Sequence, residues 1–132
     1  MLHLALVLAA QFAADALPAG TYDGQCLYPD AVRERAAGTV LATCNRAVVA
    51  PGGVAFVIRG SRQQIQFRGT WNGDRLTVES VVLRGRDPVE VRGLCKLYEA
   101  DDSLSTIACT AVGSGNRSYA ANFVASRINN AR

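Results

Sequence analysis

Four carboxylates, Asp74, Glu79, Asp87 and Glu90, are spread through the middle of the chain. A pair of them about 5–9 Å apart in a cleft would meet the needs of glycoside hydrolysis, one as proton donor and one as base or nucleophile. Scattered carboxylates in a β domain permit that pairing without requiring it, so the reading stands third here. Glu99-Ala100-Asp101-Asp102-Ser103 is the one dense acidic cluster. Its oxygens suit a hard cation such as calcium, but Asp and Ser are equally the residues of a turn between strands. With no second oxygen-rich segment the turn is the expectation, and no metal is expected. His3 is the sole histidine and Met1 the sole methionine. Beyond residue 3 there is thus no imidazole to activate a serine or cysteine nucleophile, and the usual zinc ligand sets are missing. The sequence reads as non-enzymatic and without a cofactor, with no catalytic residue to name.

Arginine is the remaining group with a chemical bias. Thirteen of the fourteen basic residues are Arg, Lys96 being the exception. Guanidinium presents a planar fork of donors that fits carboxylate and phosphate. Arg59, Arg62 and Arg68 gather around one prospective hairpin, and Arg84, Arg86 and Arg92 around the Asp87-Pro88 break. On a shared face they would attract an anionic partner. Arg33 and Arg35 lie in a further loop. The formal net charge is only +3 and acidic residues are interleaved, which argues against nucleic acid, whose binders carry a stronger basic stripe with stacking aromatics. Trp71, Tyr22, Tyr28, Tyr98 and Tyr119 could form a carbohydrate platform, but single aromatics in strands read as core or cross-strand pairs.

The cysteines set the compartment. Cys26, Cys44, Cys95 and Cys109 make an even count in a short chain, the mark of a small exported domain stapled by disulfides. The N-terminus agrees. Leu4 to Ala14 is apolar except for Gln11, and small residues follow at Ala14-Asp15-Ala16 and Leu17-Pro18-Ala19. That is the form of a secretory leader ending at residue 16 or 19, although its head carries no Lys or Arg. The run is too short to span a bilayer, and none is expected in the mature chain. A single domain over 20–132 remains.

After Gly20, alternation of apolar and polar residues dominates, with turn signals every 8–12 residues. This pattern predicts an antiparallel all-β barrel or sandwich of about eight strands. Strands are expected at Thr21–Leu27, Thr39–Arg46, Val54–Arg59, Gln63–Trp71, Arg75–Leu83, Val89–Tyr98, Leu104–Val112 and Arg117–Ser126. A single helical turn capped by Asp30 fits Pro29–Ala37. The clearest hairpin is Gln63–Leu83, where Asn72-Gly73 suits a type I′ turn. Ile65, Phe67, Trp71, Leu76, Val78 and Val81 are its expected buried side.

The chain also repeats itself. Gly24-Gln25-Cys26-Leu27-Tyr28 resembles Gly93-Leu94-Cys95-Lys96-Leu97-Tyr98, and Thr39–Cys44 resembles Ser105–Cys109. Val54–Val57 and Tyr119–Val124 then supply an aromatic strand in each half. A duplicated three-stranded unit with the Asn-Gly hairpin between the copies is the physical reading. Each copy would close its own bridge, Cys26–Cys44 and Cys95–Cys109; the competing pairing joins Cys26 to Cys95. Each closed loop spans roughly 15 residues, about 3 kcal/mol in the chain-entropy description.

With Gly-x-Cys, Ala-x-Cys and Gly-Gly-Val-Ala-Phe-Val, the sequence resembles small exported proteobacterial proteins with duplicated Cys-containing β-hairpins. It is similar in size and compartment to the cysteine-stapled β domains that inhibit lysozyme, without their recognition loop. The resemblance points to no particular activity, and the leader and the cysteines imply a periplasmic or secreted location. The leading expectation is a binding module that contacts another envelope or extracellular protein, with inhibition of that protein as one form of the contact. Loops Tyr28–Gly38 and Glu99–Ser103 are its contact candidates. The alternative is an envelope component that binds an anionic glycolipid, lipopolysaccharide, through its arginines.

Overall fold

A computed structural model describes residues 19–35, 38–60 and 63–126. The expected leader falls on residues 1–18, outside the described ones, apart from Ala19. The strands are β1 (Gly20–Cys26), β2 (Thr39–Leu41), β3 (Arg46–Ala50), β4 (Gly53–Val57) and β5 (Gln63–Asn72), then β6 (Arg75–Leu83), β7 (Val89–Ala100), β8 (Ser103–Gly113) and β9 (Ser118–Ala125). A short helix, α1, covers Asp30–Arg35, and a 3-10 turn Ser114–Asn116.

Eight strands close into an antiparallel barrel in the order β1-β3-β4-β5-β6-β7-β8-β9, and β2 is the ninth, added to β9. Closure comes from β1 against β9, where Gly24 faces Ala125 and Cys26 faces Phe123. Strand β2 runs parallel to β9, Thr39 beside Ser118 and Leu41 beside Ala120. The strand units of the expected repeat are not reproduced: Cys109 lies within β8, whereas Cys44 lies between β2 and β3, and β2 pairs with β9 rather than with β1.

Alternation builds the wall, with one side chain inward and the next to solvent. Ile65, Phe67, Leu76, Val78 and Val81 of the hairpin are all buried, as expected, whereas Trp71 is half-buried. Burial in β6 runs 76, 78, then 81 because Glu79 is bulged. The register passes from Gly69↔Val78 to Arg68↔Ser80, so the inward phase shifts by one residue. Phe56 packs edge-on against Phe67 (centroids 5.8 Å apart, 82°) and meets Phe123 at 6.4 Å. Side chains thus fill the interior, as in other eight-stranded barrels whose lumen is core rather than channel. Apolar inside and polar outside is the reverse of a membrane barrel. No polar or charged residue is buried among the described residues, nor is any helix among them long and apolar enough to cross a membrane.

Both disulfides pair as the repeat implies, Cys26–Cys44 and Cys95–Cys109. Cys95 directly faces Cys109 across β7 and β8 inside the core, at 0 and 1% exposure. Cys26–Cys44 sits where β1 ends, with Cys26 half-buried.

Three local expectations are corrected. Thr39–Arg46 is not one strand. Ala42 N–H donates to Ala120 O, Cys44 O accepts from Cys26 N–H, and Asn45 N–H donates to Val57 O. Residues 42–45 thus cross from β9 past β1 to β4, and a chain that changes partner at each step forms no ladder. Strand β3, just after this crossing, was not anticipated. The Asn72-Gly73 turn also shifts by one residue: Asn72 pairs with Arg75, so Gly73 and Asp74 form the loop. Of these only Gly73 has positive φ, 63°, the pattern of a Gly-first hairpin turn rather than type I′. The two consecutive positive φ values belong instead to Asp101 (54°) and Asp102 (63°), between paired Ala100 and Ser103. The acidic cluster is therefore a tight turn.

Candidate functional site

Strand direction decides which loops meet. Because consecutive barrel strands are antiparallel, their connections fall alternately at the two ends. Among the described residues, 27–35, 38–45, 58–60, 84–88 and 114–117 lie at one end; the turns 51–52, 73–74 and 101–102 lie at the other. Within the first set the sequence holds Arg33, Arg35, Arg59, Arg84, Arg86 and Arg117 against Asp30, Glu34 and Asp87. The second set holds Asp74, Asp101 and Asp102 and no basic residue. The connections therefore divide into an arginine end and an aspartate end.

Each arginine singled out from the sequence has a defined place, except two. Arg62 lies outside the described residues, and so does the side chain of Arg35, which ends α1. Arg33 is on α1, its guanidinium 2.7 Å from the Asp30 carboxylate, with both groups well exposed. Such a pair contributes little. Arg59 is tied to the barrel: its Nη2 is 3.0 Å from Asp23, and its backbone N–H donates to Asn45 Oδ1 at 2.6 Å. Arg46, which the sequence reading did not single out, binds the same Asp23 at 3.1 Å. The two guanidiniums, Arg46 first, hold the Asp23 carboxyl below the usual carboxylate range. Asp23, Asn45, Arg59 and Leu27 line a groove of about 470 Å³ there.

Arg68 belongs elsewhere. It projects from the outer wall of β5 and donates to Gln66 Oε1, separated from the loop that holds Arg59. Arg84 and Arg86 occupy the β6–β7 connection, and Arg84 N–H extends the β5–β6 ladder by donating to Gln64 O. Arg92 is exposed on the wall of β7, and Arg117, not singled out from the sequence, closes the 3-10 turn. Arg84, Arg86, Arg92 and Arg117 form no ion pair with the described residues.

Arg92, alone among these arginines, lines an open groove of about 920 Å³ across β6, β7 and β8. Val78 and Val91 are deep in it, Glu79, Glu90 and Arg92 flank it, and Val112 stands 57% exposed at its border. A register jump shapes it. Pairing passes from Val78↔Gly93 to Ser80↔Glu90, which leaves Glu79, Val91 and Arg92 outside the β6–β7 pairing. Of the four carboxylates considered for acid–base work, the groove unites Glu79 and Glu90, both exposed; Asp87 is in the 84–88 loop and Asp74 at the opposite end.

The two contact loops expected from the repeat lie apart. The described part of the first loop, residues 28–35 and 38, is at the arginine end and 99–103 at the aspartate end, so they form no common surface. The aromatics form no common platform either. Tyr119 is buried, Trp71 donates to Ala50 O, Tyr28 donates to Ala42 O, and Tyr98 lies exposed under Lys96 at 5.4 Å. Burial raises the hydroxyl pKa of Tyr28 and, helped by the nearby Glu99 charge, that of Tyr22. No cluster of metal-ligating side chains occurs among the described residues. No protein family, curated protein or solved structure matches this chain.

Proposed function

We propose that this protein is an exported, non-catalytic binding module, located in the periplasm or outside the cell, that contacts another envelope or extracellular protein through its arginine end. One observation carries the reading. The connections at one end of the barrel bring together arginines from four separate segments, while the charged residues of the turns at the other end are aspartates, with Arg75 and Lys96 on the strands beside them. The filled interior supports it, because a barrel whose lumen is core must bind on its surface. The disulfides support the compartment and supply a rigid frame for the loops. Guanidiniums that make no ion pair among the described residues are available to carboxylates on another molecule and speed its approach by electrostatic steering.

Affinity capture from envelope extract, with the oxidised protein as bait and a reduced and alkylated control, tests this. One saturable protein partner, lost on reduction and weakened by salt, is the expected result. Salt-sensitive retention of lipopolysaccharide with no protein would replace it with the glycolipid reading. Turnover of an envelope glycan that is lost in both Glu79→Gln and Glu90→Gln would replace it with a hydrolase.

A further inference from the structure

The outer wall of β6, β7 and β8 carries an ordered charge pattern of its own. Outward side chains recur at every second position of a strand, and burial identifies them. On β7, Glu90, Arg92, Leu94, Lys96 and Tyr98 alternate with the inward Val91, Cys95 and Leu97. Glu90 lies toward the arginine end and Lys96 toward the aspartate end, with Arg92 and Leu94 between them. Strand β6 has the same order: Glu79 toward the arginine end, then Thr77 beside Leu94, then Arg75 beside Lys96. On β8, Val112 lies beside Arg92, Thr110 beside Leu94 and Ala108 beside Lys96. Carboxylates thus mark one end of the strip and cations the other, and its middle exposes Leu94 by 41% and Val112 by 57%. Glu79, Glu90, Arg75 and Lys96 make no ion pair among the described residues.

Such a strip is complementary to itself. A two-fold axis lying in the wall and crossing the strands near Thr77 and Gly93 sets each strand antiparallel on its counterpart in a second copy. Glu90 then comes opposite Lys96 and Glu79 opposite Arg75, each twice by symmetry. At the centre Leu94 meets the apolar stem of Arg92, and Val112 meets Thr110. A barrel wall is convex, so these central side chains touch first, and the longer Glu, Arg and Lys chains span the widening gap. An anionic surface would satisfy the cations but repel Glu79 and Glu90, whereas a second copy satisfies both ends.

We propose that this strip is the interface of a reversible homodimer, in which two copies pack wall to wall with their arginine ends pointing in opposite directions. Three strands about 4.8 Å apart, over about 20 Å from Glu90 to Lys96, give roughly 300 Å² per copy, against about 800 Å² in a standard stable complex. The dimer is therefore weak, with an expected Kd of about 0.1 mM. Both arginine ends stay open, so this contact neither requires nor blocks a partner there.

Sedimentation velocity of the oxidised protein, over concentrations on both sides of that Kd, reads the association. The wild type is expected to pass from monomer to dimer, and less readily at high salt. Glu90→Lys alone and Lys96→Glu alone each weaken the dimer about tenfold, and Leu94→Ser weakens it about fivefold. Mixing is the decisive step. Equal amounts of the Glu90→Lys and Lys96→Glu proteins regain the wild-type affinity, because opposite charges face each other at both symmetric positions only in the mixed dimer. Circular dichroism shows that each variant is folded. A protein monomeric at every concentration, a dimer unaffected by either reversal, or a mixture no tighter than its components would each overturn the proposal. Monomers that bind anionic phospholipid vesicles, and lose them in Leu94→Ser, would assign the strip to a lipid surface instead.

Discussion

Gly69→Ala tests the barrel at the glycine where an added Cβ would meet the closest backbone atom. A Cβ at Gly69 would lie 1.8 Å from the carbonyl oxygen of Thr77 and 3.1 Å from the Cα of Val78, and side chains essentially never approach closer than 3.0 Å. Strands β5 and β6 must therefore part by about 1.2 Å, the difference between 3.0 and 1.8 Å. The neighbouring bond from Gly69 N–H to Gly52 O is 3.0 Å long and would be strained by the same movement. Loss of two ladder bonds at about 1 kcal/mol each, with overpacking of about 1–3 kcal/mol, sums to roughly 3–5 kcal/mol. For a domain of this size that lowers Tm by about 12 °C or more. Gly52→Ala is the control. Gly52 has no atom within 4 Å of its added Cβ and its φ is not positive, so alanine there is neutral or stabilising by up to about 1 kcal/mol. Urea and thermal unfolding of both variants supply the comparison. A Gly69→Ala protein within about 0.5 kcal/mol of wild type would refute the register and the bulge at Glu79.

Asp23 makes stability depend on acid. Its folded pKa is lowered by Arg46 and Arg59, so its contribution is complete above the unfolded value and lost as pH falls through the folded one. The difference in urea midpoint between wild type and Asp23→Asn is expected to be constant near neutral pH and to shrink below about pH 4; a difference that persists at pH 2 would contradict this. The two disulfides differ in access. Cys26 is half-buried while Cys95 and Cys109 are buried in the core, so mild reductant opens Cys26–Cys44 first. Mass spectrometry of alkylated intermediates reads the order, and the reverse order would count against the buried position of the second bridge. Asp102 holds φ 63° in a tight turn, a conformation glycine adopts without penalty. Asp102→Gly is expected to stabilise by about 0.5–1 kcal/mol in urea unfolding, and destabilisation would mean that the carboxylate does more than occupy a turn.

Much of the barrel was legible in the residues. Alternation exposes β5 to β9 because a half-buried strand needs period two, and the repeated Gly-x-Cys segments pointed to the observed bridges. Strand β3 escaped notice because Ala47-Val48-Val49-Ala50 is a continuous apolar run, whose faces cannot be separated by pattern although its burial alternates. The crossing at residues 42–45 escaped for another reason: three successive hydrogen-bond partners on three strands leave no periodic trace. The equivalence of the inter-cysteine loops misled because β1 and β7 run in opposite directions around the closed barrel. Equivalent loops of the two halves therefore emerge at opposite ends. The same lack of strand direction hid the arginine end. Arg117 has no neighbouring arginine in the sequence to mark it, and only the alternation of connections brings it to the end that holds Arg84 and Arg86.

End-selective charge reversal tests the central claim most directly. The envelope partner is captured with wild type, with Arg84→Glu/Arg86→Glu and with Arg75→Glu, across a range of salt concentrations. Loss of capture by the double variant alone, together with salt sensitivity in the wild type, is the predicted result. Equal capture by all three proteins, or loss only in Arg75→Glu, would contradict the assignment of binding to the arginine end.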